Sequence, residues 1–434
     1  MSIITCFAAS LQNLLGSVAQ EIADRHHLIV RHRKFTATSL LSMFVLGYWH
    51  KPTASVADLA ATAAQLGIDV SPQAVAKRFQ PHLRDALHDL LQHTLTRMVA
   101  AQPRSLPLVQ SFPAVIVGDS TTITLRPALA ERYPGCGGKG NSGAAALKIQ
   151  VQWDLTSGAF VAALEKGRQS DATSPLLDAE IPTGSLVLRD LGYFSLERFA
   201  PFNADKIFWI SRGSSNLTVQ IDDTKRDLVH WLSQQNGDRI DRPVRVGAIG
   251  LACRLVALRV PPAIAKKRRA AAIKAASKQC RVARARRLAA CDWTIILTNL
   301  PADSFDADTI FILYRVRWQI ELLFKLWKSH HHLAQHRHDD PVQQMIELFA
   351  RLIAVIRQHQ VILATGWRNT RLSFVKAARV IREQLPRIVA ALRDRAALEA
   401  MLQQLVILIA KCQLTLRRHH PGTNQTLQKQ AKTP

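Results

Sequence analysis

The chain has 434 residues, 48% of them hydrophobic, enough for two or three packed domains. Its 57 Lys and Arg against 32 acids give a formal charge of +25, which favours a polyanionic partner, nucleic acid ahead of a membrane surface. No apolar run approaches the roughly 18–20 residues of a spanning helix, no basic segment and apolar core mark a secretory signal, and six scattered Cys without a C-x-x-C pair argue against a disulfide framework or zinc knuckle.

Residues 1–105 read as helical. The run LLSMFVLGYW within Leu28 to Trp49 predicts a buried helix, preceded by Arg31, Arg33 and Lys34. Ser55 can cap a helix over Val56 to Leu66, with Gly67 at its C′ position. Ser71 and Pro72 introduce a second short helix from about Ala74 to Phe79. Such a pair fits either a helix-turn-helix, with Lys77 and Arg78 toward DNA, or an ordinary helical hairpin.

Strands begin after Pro113. Ala114 to Val117 is apolar and leads into Gly118-Asp119-Ser120-Thr121, so Asp119 is expected at the end of a buried strand. Gly135 to Gly143 is a Gly-rich loop with Lys139, without P-loop spacing. Ala145 to Trp153 and Ala159 to Leu164 predict an antiparallel meander. Leu186 to Arg189 repeats the first theme and ends in Asp190, with a helix from about Ser195 and a strand over Ile207 to Ser211. Val244 to Val260 alternates as strands. Ala263 to Ala290 predicts a helix with ten Lys or Arg and no acid, Lys266, Lys267, Arg268 and Arg269 among them, a run that repels itself unless a polyanion lies along it. Trp293 to Thr298 returns the chain to the sheet.

From Thr309 to Ser329 no Gly or Pro interrupts what reads as one long helix. At about 100° per residue, Tyr314, Arg317, Glu321, Lys325 and Lys328 share an arc of roughly 80°. Ile312, Val316, Ile320, Leu323 and Trp327 lie opposite. A single carboxylate among a phenol and cations suits a metal ligand flanked by phosphate contacts. The His-rich run 330–340 matches no familiar zinc spacing. Residues 341 to about 415 read as an apolar-periodic helical region that could dimerise, followed by a polar tail.

The spacing Y-x2-R-x3-E-x6-K at Tyr314, Arg317, Glu321 and Lys328 closely resembles the signature of DDE transposases of the insertion sequence four family. The contexts G-D-S-T at Asp119 and D-x-G-Y-F at Asp190 resemble that family's motifs too, and the resemblance spans residues 110 to 335. It implies an α/β fold: an RNase H-like mixed-sheet catalytic core with a β-rich, basic insertion, flanked by helical N- and C-terminal regions. The expected division is a helical DNA-binding region (1–105), core (106–216), insertion (217–292), core with the signature helix (293–340), and a helical region with its tail (341–434).

The same resemblance implies that Asp119, Asp190 and Glu321 are catalytic metal ligands, and that Tyr314, Arg317 and Lys328 contact phosphates. Lys325 joins them from charge and helix position, as do Lys77, Arg78, Lys266, Lys267, Arg268 and Arg269 as DNA contacts. Carboxylates are oxygen ligands suited to Mg2+, with Mn2+ able to substitute. The implied activity is cleavage at the ends of an insertion sequence and joining of the 3′-OH to target DNA, by a homodimer on paired ends, in the bacterial cytoplasm and without a membrane partner. The rivals are an RNase H-like nuclease without strand transfer and a catalytically inactive DNA-binding derivative.

Overall fold

The structure, a computed structural model, describes residues 2–29, 34–96, 107–137, 143–278, 280–335 and 339–415. Arg31, Arg33, Lys139 and the His336–His338 part of the His-rich run lie outside them. The N-terminal helices are α1 (Ile3–Asn13), α2 (Ala19–Arg25), α3 (Ala37–His50), α4 (Val56–Gln65), α5 (Pro72–Ala76) and α6 (Pro81–Thr96). Next come α7 (Pro107–Gln110), β1 (Val115–Leu125), β2 (Ala145–Asp154), β3 (Phe160–Lys166), β4 (Leu186–Arg189), α8 (Leu196–Ala204) and β5 (Phe208–Arg212). Then follow β6 (Thr218–Ile221), β7 (Thr224–Asp227), α9 (Leu228–Ser233), β8 (Arg239–Val246), β9 (Leu251–Arg259), α10 (Pro262–Ser277) and α11 (Ala285–Ala289). The chain continues with β10 (Trp293–Thr298), α12 (Ala307–Val316), α13 (Trp318–Lys325), α14 (Pro341–Gly366), α15 (Phe374–Ala391) and α16 (Arg395–Ala410).

The chain divides into two compact units. The described residues of 1–106, 120–169 and 320–425 form a helical unit, and those of 107–119 and 170–319 a sheet unit. The chain passes between them inside β1, after Asp119, and inside α13, after Gln319.

In the sheet unit the strand order is β1-β4-β5-β10-β9-β8-β6-β7. β1, β4 and β5 run parallel, with Val117 opposite Leu188 and Leu188 opposite Ile210. From β10 onward the pairings are antiparallel. Leu186, Val187 and Leu188 are fully buried, as a parallel strand covered on both faces requires. One core joins β4, β5 and β10 to β6, β8 and β9, with Val187, Phe199, Trp209, Val219, Trp231, Leu255 and Trp293 among its members. Phe199 stacks on Trp209 with centroids 4.3 Å apart. Each such side chain contributes about 1.5–3 kcal/mol by leaving water.

In the helical unit β3 pairs antiparallel with β2, Leu147 opposite Lys166 and Trp153 opposite Phe160. Helix α14 is its axis, buried along almost its whole length. Among its buried polar groups, Arg351 bonds Glu347 at 2.6 Å, and the Tyr48 hydroxyl of α3 donates to the same carboxylate at 3.2 Å. Helices 3–25 and 341–366 are both long and apolar enough to span a bilayer, contrary to the expectation drawn from uninterrupted apolar runs. The polar residues of α14 interrupt its apolar run without lowering its mean enough to fail that measure, and it is a core helix here.

Four local expectations change. Asp119 is not at a strand end: β1 continues through the β-branched residues Thr121 to Thr124 and stops at Leu125. The helix expected over Thr309 to Ser329 is segmented: Arg317 bonds back three residues to Tyr314, tightening the junction of α12 and α13, and Leu326–His330 widens into a π turn. The basic helix expected over Ala263 to Ala290 ends at Ser277. Like charges three and four apart give it no pairing support, and Cys280 turns the chain with a φ of 53°. The second helix of the N-terminal pair is α5, five residues long, about 7.5 Å at 1.5 Å per residue. Its partner α4 is capped as expected, by a Ser55–Asp58 capping box and by Gly67 at φ +83°.

Candidate active site

Asp119 and Asp190 are built by two neighbouring parallel strands. The strand register pairs Val117 with Leu188. Two residues further on each strand stands an aspartate, so both carboxylates leave on one face from strands about 4.8 Å apart. Leu188 and Val117 anchor them from below, both fully buried. Asp190 has left the ladder and begins a short 3₁₀ turn over Leu191–Tyr193.

Helix α12 meets this pair. The Tyr314 hydroxyl donates to Asp190 Oδ1 at 3.1 Å, and Arg317 Nη1 lies 3.4 Å from Asp119 Oδ2. One helical turn separates Tyr314 from Arg317, which matches the spacing of adjacent strands. Arg317 also lies over the Tyr314 ring, 5.8 Å from its centroid. Burial, and after it the Asp190 charge, push the Tyr314 phenol above its ordinary range, so it stays a donor at neutral pH. The Arg317 and Asp119 side chains are only 11% and 23% exposed, so their attraction is screened less than a surface pair's.

Behind the pair, on the other face, lies a residue that sequence reasoning misses. Arg189 occupies the space above Gly118, where an added Cβ would fall 1.6 Å from its Nη1. Burial lowers the Arg189 guanidinium to about 10, with Arg198 pushing the same way and Tyr193 opposing it. The available signal is a cation immediately before the second acid of an apolar strand.

Glu321, Lys325 and Lys328 belong to the helical unit. Glu321 is half-buried one turn beyond Arg317 on α13, Lys325 is exposed, and Lys328 sits in the π turn. That turn is wider than an α-helical one, so Lys328 departs from the arc drawn at about 100° per residue. Burial lowers its ammonium. Lys77 is exposed, and Arg78 stacks on Phe35 at 5.1 Å. In α10 Lys266 and Lys267 are exposed, whereas Arg268 donates to the Trp293 carbonyl at 3.0 Å and Arg269 pairs with Asp292.

The donor chemistry suits a hard divalent cation, because two carboxylates converge on one face with only oxygen to offer. Among the described residues no three His, Cys, Asp or Glu stand together as a metal cluster. The sheet unit assembles the aspartate pair with its phenol and guanidinium partners. In the His-rich run, His331 is buried and bonded to Gln358 at 2.8 Å, and burial drives its pKa down to about 3, which marks it as a core residue.

Parallel strands presenting paired aspartates, inside a mixed sheet with helical flanks, define an RNase H-like metal-dependent enzyme of phosphodiester chemistry. The model of the transposase DDE domain matches residues 110–357, more than half of the chain, and the protein belongs to that family. It is 27% identical over 376 residues to the transposase for insertion sequence element IS231B of Bacillus thuringiensis subsp. berliner, covering 79% of this chain and 77% of that one. A second relative, the transposase for IS231E of Bacillus thuringiensis subsp. finitimus, is 26% identical over 87% of this chain and 85% of its own. The transposase for IS1151 of Clostridium perfringens is 24% identical over 80% and 78%.

Proposed function

We propose that this DDE transposase cuts DNA at the ends of its insertion sequence and joins the freed 3′-OH to target DNA, with Asp119, Asp190 and Glu321 as the metal-holding acids. The observation that carries the reading is the side-by-side exit of Asp119 and Asp190, each already engaged by a residue of the signature helix. The family depends on divalent metal; the all-oxygen donor set favours Mg2+, with Mn2+ as substitute. When bound, such ions activate the attacking oxygen and stabilise the leaving one.

The chain's own residues perform the rest. Tyr314 holds the Asp190 carboxylate in one rotamer by its hydroxyl. Arg317 neutralises part of the Asp119 charge and presents a planar fork that fits a phosphate in two places. Lys325 and Lys328 follow on the same run of chain and supply point charges to flanking phosphates. Lys266 and Lys267 extend a cationic track for the DNA backbone, with Arg268 and Arg269 setting the helix that carries them. Lys77 and Arg78 give the N-terminal region its contribution to end binding. Two copies on paired ends, in the bacterial cytoplasm, complete the assembly we infer.

The test is single replacement of each acid by its amide, Asp119→Asn, Asp190→Asn and Glu321→Gln. Each should abolish cleavage in Mg2+ and leave binding to an end duplex within a few-fold of the parent. Near-parental cleavage by any one variant removes that residue from the set. A protein that cuts ends and never joins them is the nuclease of the rival reading.

A further inference from the structure

Arg189 takes no part in the chemistry above. Strand alternation sends it away from the aspartates, to the face where Val187 packs with Phe199 of α8. Its residue is 3% exposed, and its Nη1 has no hydrogen-bond partner. Among the described residues no ion pair reaches it. The ionisable groups that act on it are Tyr193, whose ring lies 5.7 Å away, and Arg198, a second cation. A guanidinium offers five donors and loses much hydration on burial. Placed beside another cation with no carboxylate opposite, it is a poor internal strut. It is a good receptor for an anion, because the fold has already removed its water and fixed its position.

There is room for that anion. Arg189 lines a cavity of about 460 Å³ at the edge of α8, with Tyr193, Phe199 and Phe202 as its aromatic wall. Glu180, Glu197 and Asp205 also line it, all three on exposed residues. Gly118 completes the arrangement, since only a residue without Cβ leaves the guanidinium its place. The volume exceeds a bare phosphate and suits a nucleotide. Those acids oppose any anion that enters, so the attraction for a phosphate comes from the guanidinium side of the cavity. Arg189 and Arg198 both line it, and two cations match the double charge of a monoester better than the single charge of a diester.

We propose that this cavity binds a phosphate monoester on Arg189, carried either by a free nucleotide or by the 5′ end of a DNA strand. The site does not depend on the metal chemistry, and its test needs no cleavage. Full-length protein is titrated with dAMP, followed by calorimetry and by thermal unfolding. The expected result is saturable one-to-one binding with a raised Tm, weakened at least tenfold in Arg189→Met. Should that variant fail to fold, Ala179→Trp obstructs the cavity from an exposed lining position, keeps Arg189, and should show the same loss. Displacement of dAMP by a 5′-phosphorylated oligonucleotide, and not by its unphosphorylated twin, assigns the site to a DNA end. Retention of dAMP against both assigns it to a free nucleotide. Absence of saturable binding of dAMP and of the phosphorylated oligonucleotide, or parental binding in the folded variants, overturns the proposal.

Discussion

Tyr314 donates its hydroxyl to Asp190 at 3.1 Å, from a helix one turn of which also carries Arg317 to Asp119. The two contacts tie one helix to two adjacent strands, so the spacing of the carboxylates is fixed by the sheet and their orientation by the helix. The phenol is held in its protonated form by burial and by the acid it serves. It therefore acts as an aligning donor, not as a base.

Tyr314→Phe tests that role. It removes one hydrogen bond to a charged acceptor, about 1.5–3 kcal/mol when such a bond is lost, and leaves the ring under Arg317. End cleavage should fall on the order of tenfold, by the relation of about 1.4 kcal/mol per decade. The Mg2+ concentration for half-maximal cleavage should change as well, because Asp190 gains freedom to rotate. Parental values of both would show that the hydroxyl aligns nothing.

Much of this site is legible in short stretches of sequence. Asp190 after Leu186 to Arg189, and Tyr314 and Arg317 at helical spacing, are local patterns, and the fold keeps both. Asp119 is legible as a site residue but not as a mid-strand one, because Gly118 reads as punctuation. The glycine is there because the Arg189 guanidinium lies across the strands, a contact between residues 71 apart that no local rule contains. Asp292 and Asp227, which pair with Arg269 and Arg286, come from outside the acid-free run.

Gly118→Ala turns that contact into a stability measurement. The added Cβ would meet Nη1 at 1.6 Å, and the guanidinium is buried, so it cannot swing into solvent without moving β4. Overpacking of this kind costs about 1–3 kcal/mol, which should lower the urea midpoint at unchanged slope. Gly118→Ala combined with Arg189→Ala should recover part of the loss, since the clash then has no partner. Equal stability of Gly118→Ala and the parent would mean the strands separate easily here.

The insertion separates its cations by what they touch. Lys266 and Lys267 are exposed, whereas Arg268 and Arg269 hold Trp293, Thr294 and Asp292. Replacing both lysines by Gln should weaken binding to all duplexes alike and reduce the slope of log affinity against log salt by about 0.9 per lost contact. Replacing Arg268 and Arg269 should instead lower the unfolding midpoint. A full loss of slope from the arginine pair, with none from the lysine pair, would reverse these assignments.

Arg317→Lys distinguishes a fork from a charge. The parent guanidinium lies 3.4 Å from Asp119 and over the Tyr314 ring. Its planar donors can grip a phosphate in two places while keeping that stack, and an ammonium offers neither feature. If Arg317 holds the element's end in register, the Lys protein should keep its affinity for Mn2+ and for random duplex within a few-fold. It should lose on the order of 10²-fold in end cleavage, as misplacement of a reacting group by about 1 Å does. Strand transfer should fall with it. A purely electrostatic role predicts near-parental activity on specific and random duplexes, because the charge is unchanged. Paired assays on the two DNAs decide it: a defect confined to the specific end supports register, and equal, near-parental rates on both sink it.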